Sequence, residues 1–246
     1  MQAIIGGTGL YKLTGLTVTR RRAVRSPYGE PSGALTYGRI GNGEEIIFLA
    51  RHGHGHAFPP HRINYRANLW ALHEAGARRI VSVASVGGIG EGLAPGTLAV
   101  PDQIVDYTTS RQSTFYEGGD QPVVHVDMTL PYGEAMRRDL LAAAARCGIA
   151  VRDGGVYGCT QGPRLETAAE IRRMERDGCD MVGMTGMPEA GLARELEIDY
   201  AALCVVTNYA AGKGASSEAI SMEEIRDTVD DTMQDVHRIL GELVGG

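Results

Sequence analysis

An arginine and three alternating histidines, Arg51-His52-Gly53-His54-Gly55-His56, form the densest run of reactive side chains in this 246-residue sequence. A guanidinium fork matches a phosphate through two parallel hydrogen bonds. Three imidazoles are also a ligand type for zinc. The glycines between them mark a loop, and no carboxylate or thiolate stands nearby to complete a metal site. Anion binding therefore ranks above metal ligation, with a structural loop as the remaining reading. A second anion candidate is Gly6-Gly7-Thr8-Gly9, whose backbone N–H groups and Thr8 hydroxyl could cradle negative charge. Its plain alternative is a strand-to-loop turn. Thr185, in Gly183-Met184-Thr185-Gly186-Met187-Pro188-Glu189, is either an anion donor at a helix N-terminus or an ordinary N-cap.

Two further segments could read a heterocycle. In Thr160-Gln161-Gly162-Pro163-Arg164-Leu165-Glu166-Thr167, Glu166 either faces a ligand or stands with Thr167 at the start of a helix. Asn208, in Thr207-Asn208-Tyr209, either caps a turn or donates and accepts at once along a heterocycle edge. The sequence has no G-x-S-x-G, no H-E-x-x-H and no cysteine in a protease context. An enzyme built on these residues need not form a covalent intermediate.

The elements that position them alternate between apolar runs and helical patterns. Strands are expected at 3–5, 45–50, 79–84, 98–100 and 200–207. Helices are expected at 62–75, 132–147, 167–177, 188–196 and 222–244, several closed by glycine. This order predicts an α/β fold: one domain over residues 1–246, with a central, mixed, largely buried β-sheet flanked by helices. Thr8, Arg51, His52, Ser85 and Asn208 all fall just past expected strand ends, the edge where α/β sheets bind ligands.

Composition narrows the classes. Lys and Arg number 24 against 30 Asp and Glu, a net charge of −6, which argues against a nucleic-acid binder. With 43% hydrophobic and 22% charged residues the chain is an ordinary globular one. No apolar run approaches the roughly 18 to 20 residues of a membrane helix. The N-terminus lacks the pattern of a signal peptide, so a cytoplasmic protein is expected. The four cysteines are widely spaced, as in a protein with reduced thiols. Glycine is abundant at 34 residues and clusters beside apolar runs, a sign of tight turns around a ligand.

Taken together, these segments resemble the trimeric purine nucleoside phosphorylase and methylthioadenosine phosphorylase family. The motifs are IIGGTGL (4–10), LARHGHGH (49–56), INYRANLWAL (63–72), SVGGIGEGLAPG (85–96), TQGPRLETAAE (160–170), VGMTGMPEAGLARE (182–195) and VTN (206–208). Their shared order and spacing cover almost the whole chain. The resemblance implies phosphorolysis of a purine nucleoside to free base and ribose 1-phosphate. Inorganic phosphate would be the co-substrate, with no metal or other cofactor. It places phosphate at Thr8, Arg51, His52, Ser85 and Thr185, the ribose along Met184, and the base at Leu165, Glu166 and Asn208. Glu166, Asn208 and His52 would carry the catalysis. Ser85 departs from the family's usual Thr-Ala or Asn-Ala pair. His125 matches a position that reaches into a neighbouring subunit's site, which implies a homotrimer or a hexamer built from one.

Family branches differ at the base. The adenine-cleaving branch has a serine at position 166 and an Asp-x-Asp pair after the last strand. The 6-oxopurine branch pairs Glu with Asn, as here. Glu166 can accept from N1–H, while Asn208 donates to O6 and accepts from a protonated N7. At the 5′ end, the alignment puts Met222 where inosine phosphorylases carry a histidine, with Ile225 one turn later. That pair either forms an apolar pocket for a methylthio group or faces the core. The combination points to 5′-methylthioinosine. The rivals are methylthioadenosine, inosine or guanosine as substrate, and a non-catalytic purine-binding protein on the same fold.

Overall fold

The computed structural model describes residues 1–10, 12–119 and 122–245, without the side chain of Glu224. In chain order the elements are β1 (Gln2–Gly6), β2 (Leu16–Arg22), β3 (Leu35–Ile40), β4 (Ile46–Ala50), α1 (Tyr65–Glu74), β5 (Arg79–Gly88), β6 (Leu98–Val100), β7 (Gln103–Asp106), α2 (Glu134–Arg146), β8 (Val151–Asp153), β9 (Val156–Cys159), α3 (Ala168–Arg176), β10 (Met181–Gly183), α4 (Gly186–Glu195), β11 (Asp199–Tyr209) and α5 (Met222–Gly245). The strands join in one mixed, 11-stranded sheet. Its main path runs β2-β3-β4-β1-β5-β10-β9-β7, with β11 on β5, β6 on β11 and β8 on β6.

Period-two alternation sorts the strand side chains into two cores. Ala3, Ile5, Ile47, Leu49, Ala202, Cys204 and Val206 pack on one face with α1 and α4. Ile4, Ile46, Phe48, Ala201, Leu203 and Val205 pack on the other with α2 and α5. In α5 the buried residues Val229, Met233, Val236 and Leu240 recur at helical spacing, so one stripe of an otherwise polar helix meets the sheet. A third, smaller cluster places α3 against Ile89, Val182 and Ala210. The expected α/β class with a mixed, buried sheet flanked by helices is thus observed. Among the described residues no helix is long and apolar enough to cross a membrane. Cys159, Cys179 and Cys204 are buried thiols and Cys147 is half-buried.

β5 positions the site. It pairs along its whole length with β11. On its other side it pairs with β1 over Arg79–Ser82 and with β10 over Gly87–Gly88. Both long strands run further than the sequence pattern indicated, so Ser85 and Asn208 lie within strands rather than past their ends. The reason is this continued pairing, which carries β5 and β11 beyond their apolar runs. A register shift between Val206 and Asn208 breaks the strict alternation there. Such a bulge re-aims a side chain, and Thr207 and Asn208 accordingly both line one cavity.

Candidate active site

The cavity measures about 300 Å³ and opens at the ends of β1, β4, β5 and β11. Thr8, Arg51, His52, Ser85, Thr185, Leu165, Glu166, Asn208, Met184, Met222 and Ile225 all line it. The structure therefore brings together every candidate named from the sequence except His125. That residue is exposed in the segment between β7 and α2 and lies outside this cavity.

At the anion end, Arg51 is fully buried and mostly committed. Its Nε and Nη2 donate to the two Glu189 oxygens at 2.8 and 3.0 Å, Nη1 donates to the Val83 carbonyl at 2.9 Å, and Nη2 also donates to Ser82 Oγ. Of five N–H groups, one on Nη1 remains. It sits beside the glycine turn: a Cβ on Gly7 would lie 3.0 Å from Nη1 and 2.3 Å from the Val83 carbonyl, so a side chain is excluded there. Burial alone would make Arg51 easier to deprotonate, but the Glu189 carboxylate more than offsets this and raises its pKa. The pair is close to neutral as a unit. The other candidate anion donors are neutral. Ser85 Oγ is buried with no hydrogen-bond partner among the described residues, an orphan that a ligand oxygen would satisfy. Thr185 stands at the N-cap of α4, yet its side chain makes no capping bond, so the N-cap alternative fails and the hydroxyl is not spent on the helix.

His52 is buried, and its ring stacks on His56 at 4.1 Å. Burial, and next the charge of Arg51, depress its pKa to about 4, so it is neutral at pH 7. Its Nδ1 lies 2.8 Å from the Phe58 carbonyl oxygen. A carbonyl can only accept, so Nδ1 carries the proton and Nε2 presents a lone pair. His52 is thus an acceptor for a hydroxyl rather than a cation for an anion. Among the described residues no group of three or more His, Cys, Asp or Glu is placed to hold a metal ion.

At the polar end, Thr167 caps α3: its hydroxyl accepts from the Glu170 N–H, and Glu170 answers to the Thr167 N–H. The cap needs nothing from Glu166, whose carboxylate instead accepts from Thr160 Oγ1 at 2.5 Å and lines the cavity. Asn208 Nδ2 donates to the Tyr209 carbonyl at 2.7 Å, and Oδ1 accepts from Thr207 Oγ1 at 3.0 Å. One N–H and one lone pair are left, a donor and an acceptor on one amide. Among the apolar lining residues, Met222 is 55% exposed and Leu165, beside Glu166, 41% exposed. Met222 is therefore no core residue, while Ile225 both lines the cavity and packs against the second core.

Two side chains that hold the cavity-lining residues in place escaped sequence reasoning. Glu189 holds Arg51 from 138 residues away and also accepts from Tyr200 Oη at 2.8 Å. Its only sequence signal was an acid in the first turn of a helix. Arg111 donates to the carbonyls of Thr160 and Gln161 and to those of Met184 and Met187. It ties the segment bearing Glu166 to the segment bearing Thr185. It also donates to Gln161 Oε1 and Tyr65 Oη, but four of its acceptors are backbone carbonyls, which leave no trace in side-chain identity.

A fold of this kind, with buried donors and a free amide edge lining one cavity, has known counterparts. The Phosphorylase superfamily model matches residues 2–245, and the chain belongs to that family. A probable S-methyl-5′-thioinosine phosphorylase of Pseudomonas syringae pv. tomato is 53% identical over 242 residues, covering 98% of this chain and 97% of the relative. The 6-oxopurine nucleoside phosphorylase of Pyrococcus furiosus is 45% identical over 243 residues, covering 97% and 89%. Among solved structures, a methylthioadenosine phosphorylase from Schistosoma mansoni in complex with adenine superposes with a TM-score of 0.94 at 32% identity, covering 99% of this chain and 90% of that one.

Proposed function

We propose that this chain cleaves the N-glycosidic bond of 5′-methylthioinosine with phosphate, giving hypoxanthine and 5-methylthioribose 1-phosphate. One observation carries the reading: a single cavity is lined by Glu166 and Asn208 and also by Met222 and Ile225. The first pair suits a 6-oxopurine and the second an apolar 5′ group. The names of the relatives at 53% and 45% identity support the same two features.

In this reading a phosphate oxygen forms the new bond to C1′ as the bond from C1′ to N9 breaks, and that electron pair leaves with the purine. Ser85, Thr185, Thr8 and the last Arg51 N–H hold the phosphate beneath the sugar, an arrangement that converts a bimolecular encounter into a positioned one. His52 Nε2 accepts from a phosphate or ribose hydroxyl. Asn208 accepts from the proton on N7 and donates to O6 of the departing base, while Glu166 accepts from N1–H. Phosphate is the only co-substrate required. The whole chain acts as one catalytic domain, in a homotrimer whose neighbouring subunit brings His125 to the site. Val123, 70% exposed, and Val124 flank His125 with apolar surface that suits such an interface.

The test is release of hypoxanthine from methylthioinosine with and without phosphate. Phosphate-dependent release of base and sugar phosphate is expected. Base release that ignores phosphate, or none at all, would contradict the proposal.

A further inference from the structure

We propose that Thr160 is the positioning residue that keeps Glu166 turned toward the base, and so sets the preference for a purine with a ring N1–H. This rests on the functional reading above and adds to it a residue with no place in the substrate contacts.

Glu166 stands between two spaces. It lines the cavity just described and also a second, polar cleft with Asp106, Thr109, Arg164 and Arg173. The cleft holds two guanidinium groups, Arg164 paired with Glu170 and Arg173 with Asp177. These cations offer a carboxylate an alternative to the base. Thr160 lies on the wall of that cleft, and its hydroxyl holds the Glu166 conformer in which the side chain also lines the cavity. Thr160 Oγ1 lies 2.5 Å from Glu166 Oε1 and 3.3 Å from the Gly183 carbonyl. A hydroxyl has one proton, and the shorter contact to the charged acceptor takes it.

Thr160 can serve as an anchor because it is itself fixed. It is buried, its N–H donates to the Gly183 carbonyl at 2.8 Å, and its own carbonyl accepts from Arg111 Nη2 at 3.2 Å. The bond occupies Oε1 and leaves Oε2 for the substrate. Without it, Glu166 would share its time with the cleft, and the cost would fall on the base that needs the carboxylate. Methylthioadenosine has a bare N1 and gains nothing from the carboxylate, so it would lose little.

The experiment compares kcat/KM for methylthioinosine and methylthioadenosine in the wild type, Thr160→Val, Thr160→Ser and Glu166→Ala. Thr160→Val keeps the shape and removes the donor; Thr160→Ala gives the same reading if the valine variant does not fold. The expected result is a ten- to hundredfold fall in the preference for methylthioinosine, roughly the worth of a hydrogen bond to a charged group. The fall should be confined to the 6-oxopurine substrate and restored within about threefold by Thr160→Ser. In the Glu166→Ala background, Thr160→Val should change the ratio no further. Equal losses on both substrates would mark Thr160 as merely structural and overturn the inference. So would an unchanged ratio in Thr160→Val alongside a collapsed one in Glu166→Ala, which would leave the functional reading standing. A wild type without 6-oxopurine preference would overturn both.

Discussion

The two ends of the cavity read a ligand by different physics. At the polar end every group is counted: Glu166 has one oxygen bound to Thr160, and Asn208 keeps one donor and one acceptor after its local bonds. At the apolar end Met222 stands more than half exposed, and it makes contact without direction. A site built from buried hydrogen bonds rejects the wrong partner by factors of about 10⁴ or more, because the mismatch leaves polar groups unpaired. Apolar contact discriminates a missing methylene by only about 1–3 kcal/mol. The base should therefore be chosen strictly and the 5′ substituent loosely.

The sharpest way to break this contrast is to rewrite the polar end. Glu166→Ser combined with Asn208→Asp should lower the preference for methylthioinosine over methylthioadenosine by roughly a thousandfold or more, measured as the ratio of kcat/KM values. An unchanged ratio would remove the polar end from base selection. Next in size is the buried Arg51–Glu189 ion pair. Glu189→Ala leaves the Arg51 charge buried without its partner, and a loss of about 3–5 kcal/mol is expected in denaturant unfolding. A loss under 1 kcal/mol would mean that the guanidinium finds another partner.

The pH response should come from His52. Its pKa in the fold, about 4, lies below the ordinary 6.5. Between those values the unfolded chain binds more protons than the folded one, so stability falls as pH drops through that window and is full above it. The loss should reach up to about 3 kcal/mol by pH 4, and NMR of the ring should show no protonation at pH 5.5. Titration near 6.5 would contradict the buried, neutral imidazole. The smallest effect belongs to the apolar end. Met222→His should shift preference from methylthioinosine toward inosine by about ten- to a hundredfold, in line with its loose contact. No shift would place the 5′ group elsewhere.

How much of this was legible in the sequence follows from which atoms do the work. The interior strands β1, β4, β5 and β11 were legible because both faces are apolar, whereas β2 was not, since Thr17 to Arg22 is exposed and charged. Thr8, Arg51, His52, Ser85 and Asn208 were legible because they stand near the ends of apolar runs, whereas Leu165, Met184, Met222 and Ile225 were named only through the family resemblance. The cap at Thr167 and the ligand-facing Glu166 could not be separated by spacing alone, since they are adjacent; the hydrogen bonds separate them. The commitment of Arg51 to Glu189 was hidden by a separation of 138 residues. Arg111 was hidden because most of its acceptors are carbonyl oxygens, the same in every residue.

The most direct test of the two-ended account is a matrix of kcat/KM for methylthioinosine, inosine, methylthioadenosine and adenosine under one condition. The account predicts that methylthioinosine is best, that changing the base costs more than changing the 5′ group, and that the two factors multiply to give the value for adenosine. A larger penalty at the 5′ end than at the base, or a preference for either adenine nucleoside, would contradict it.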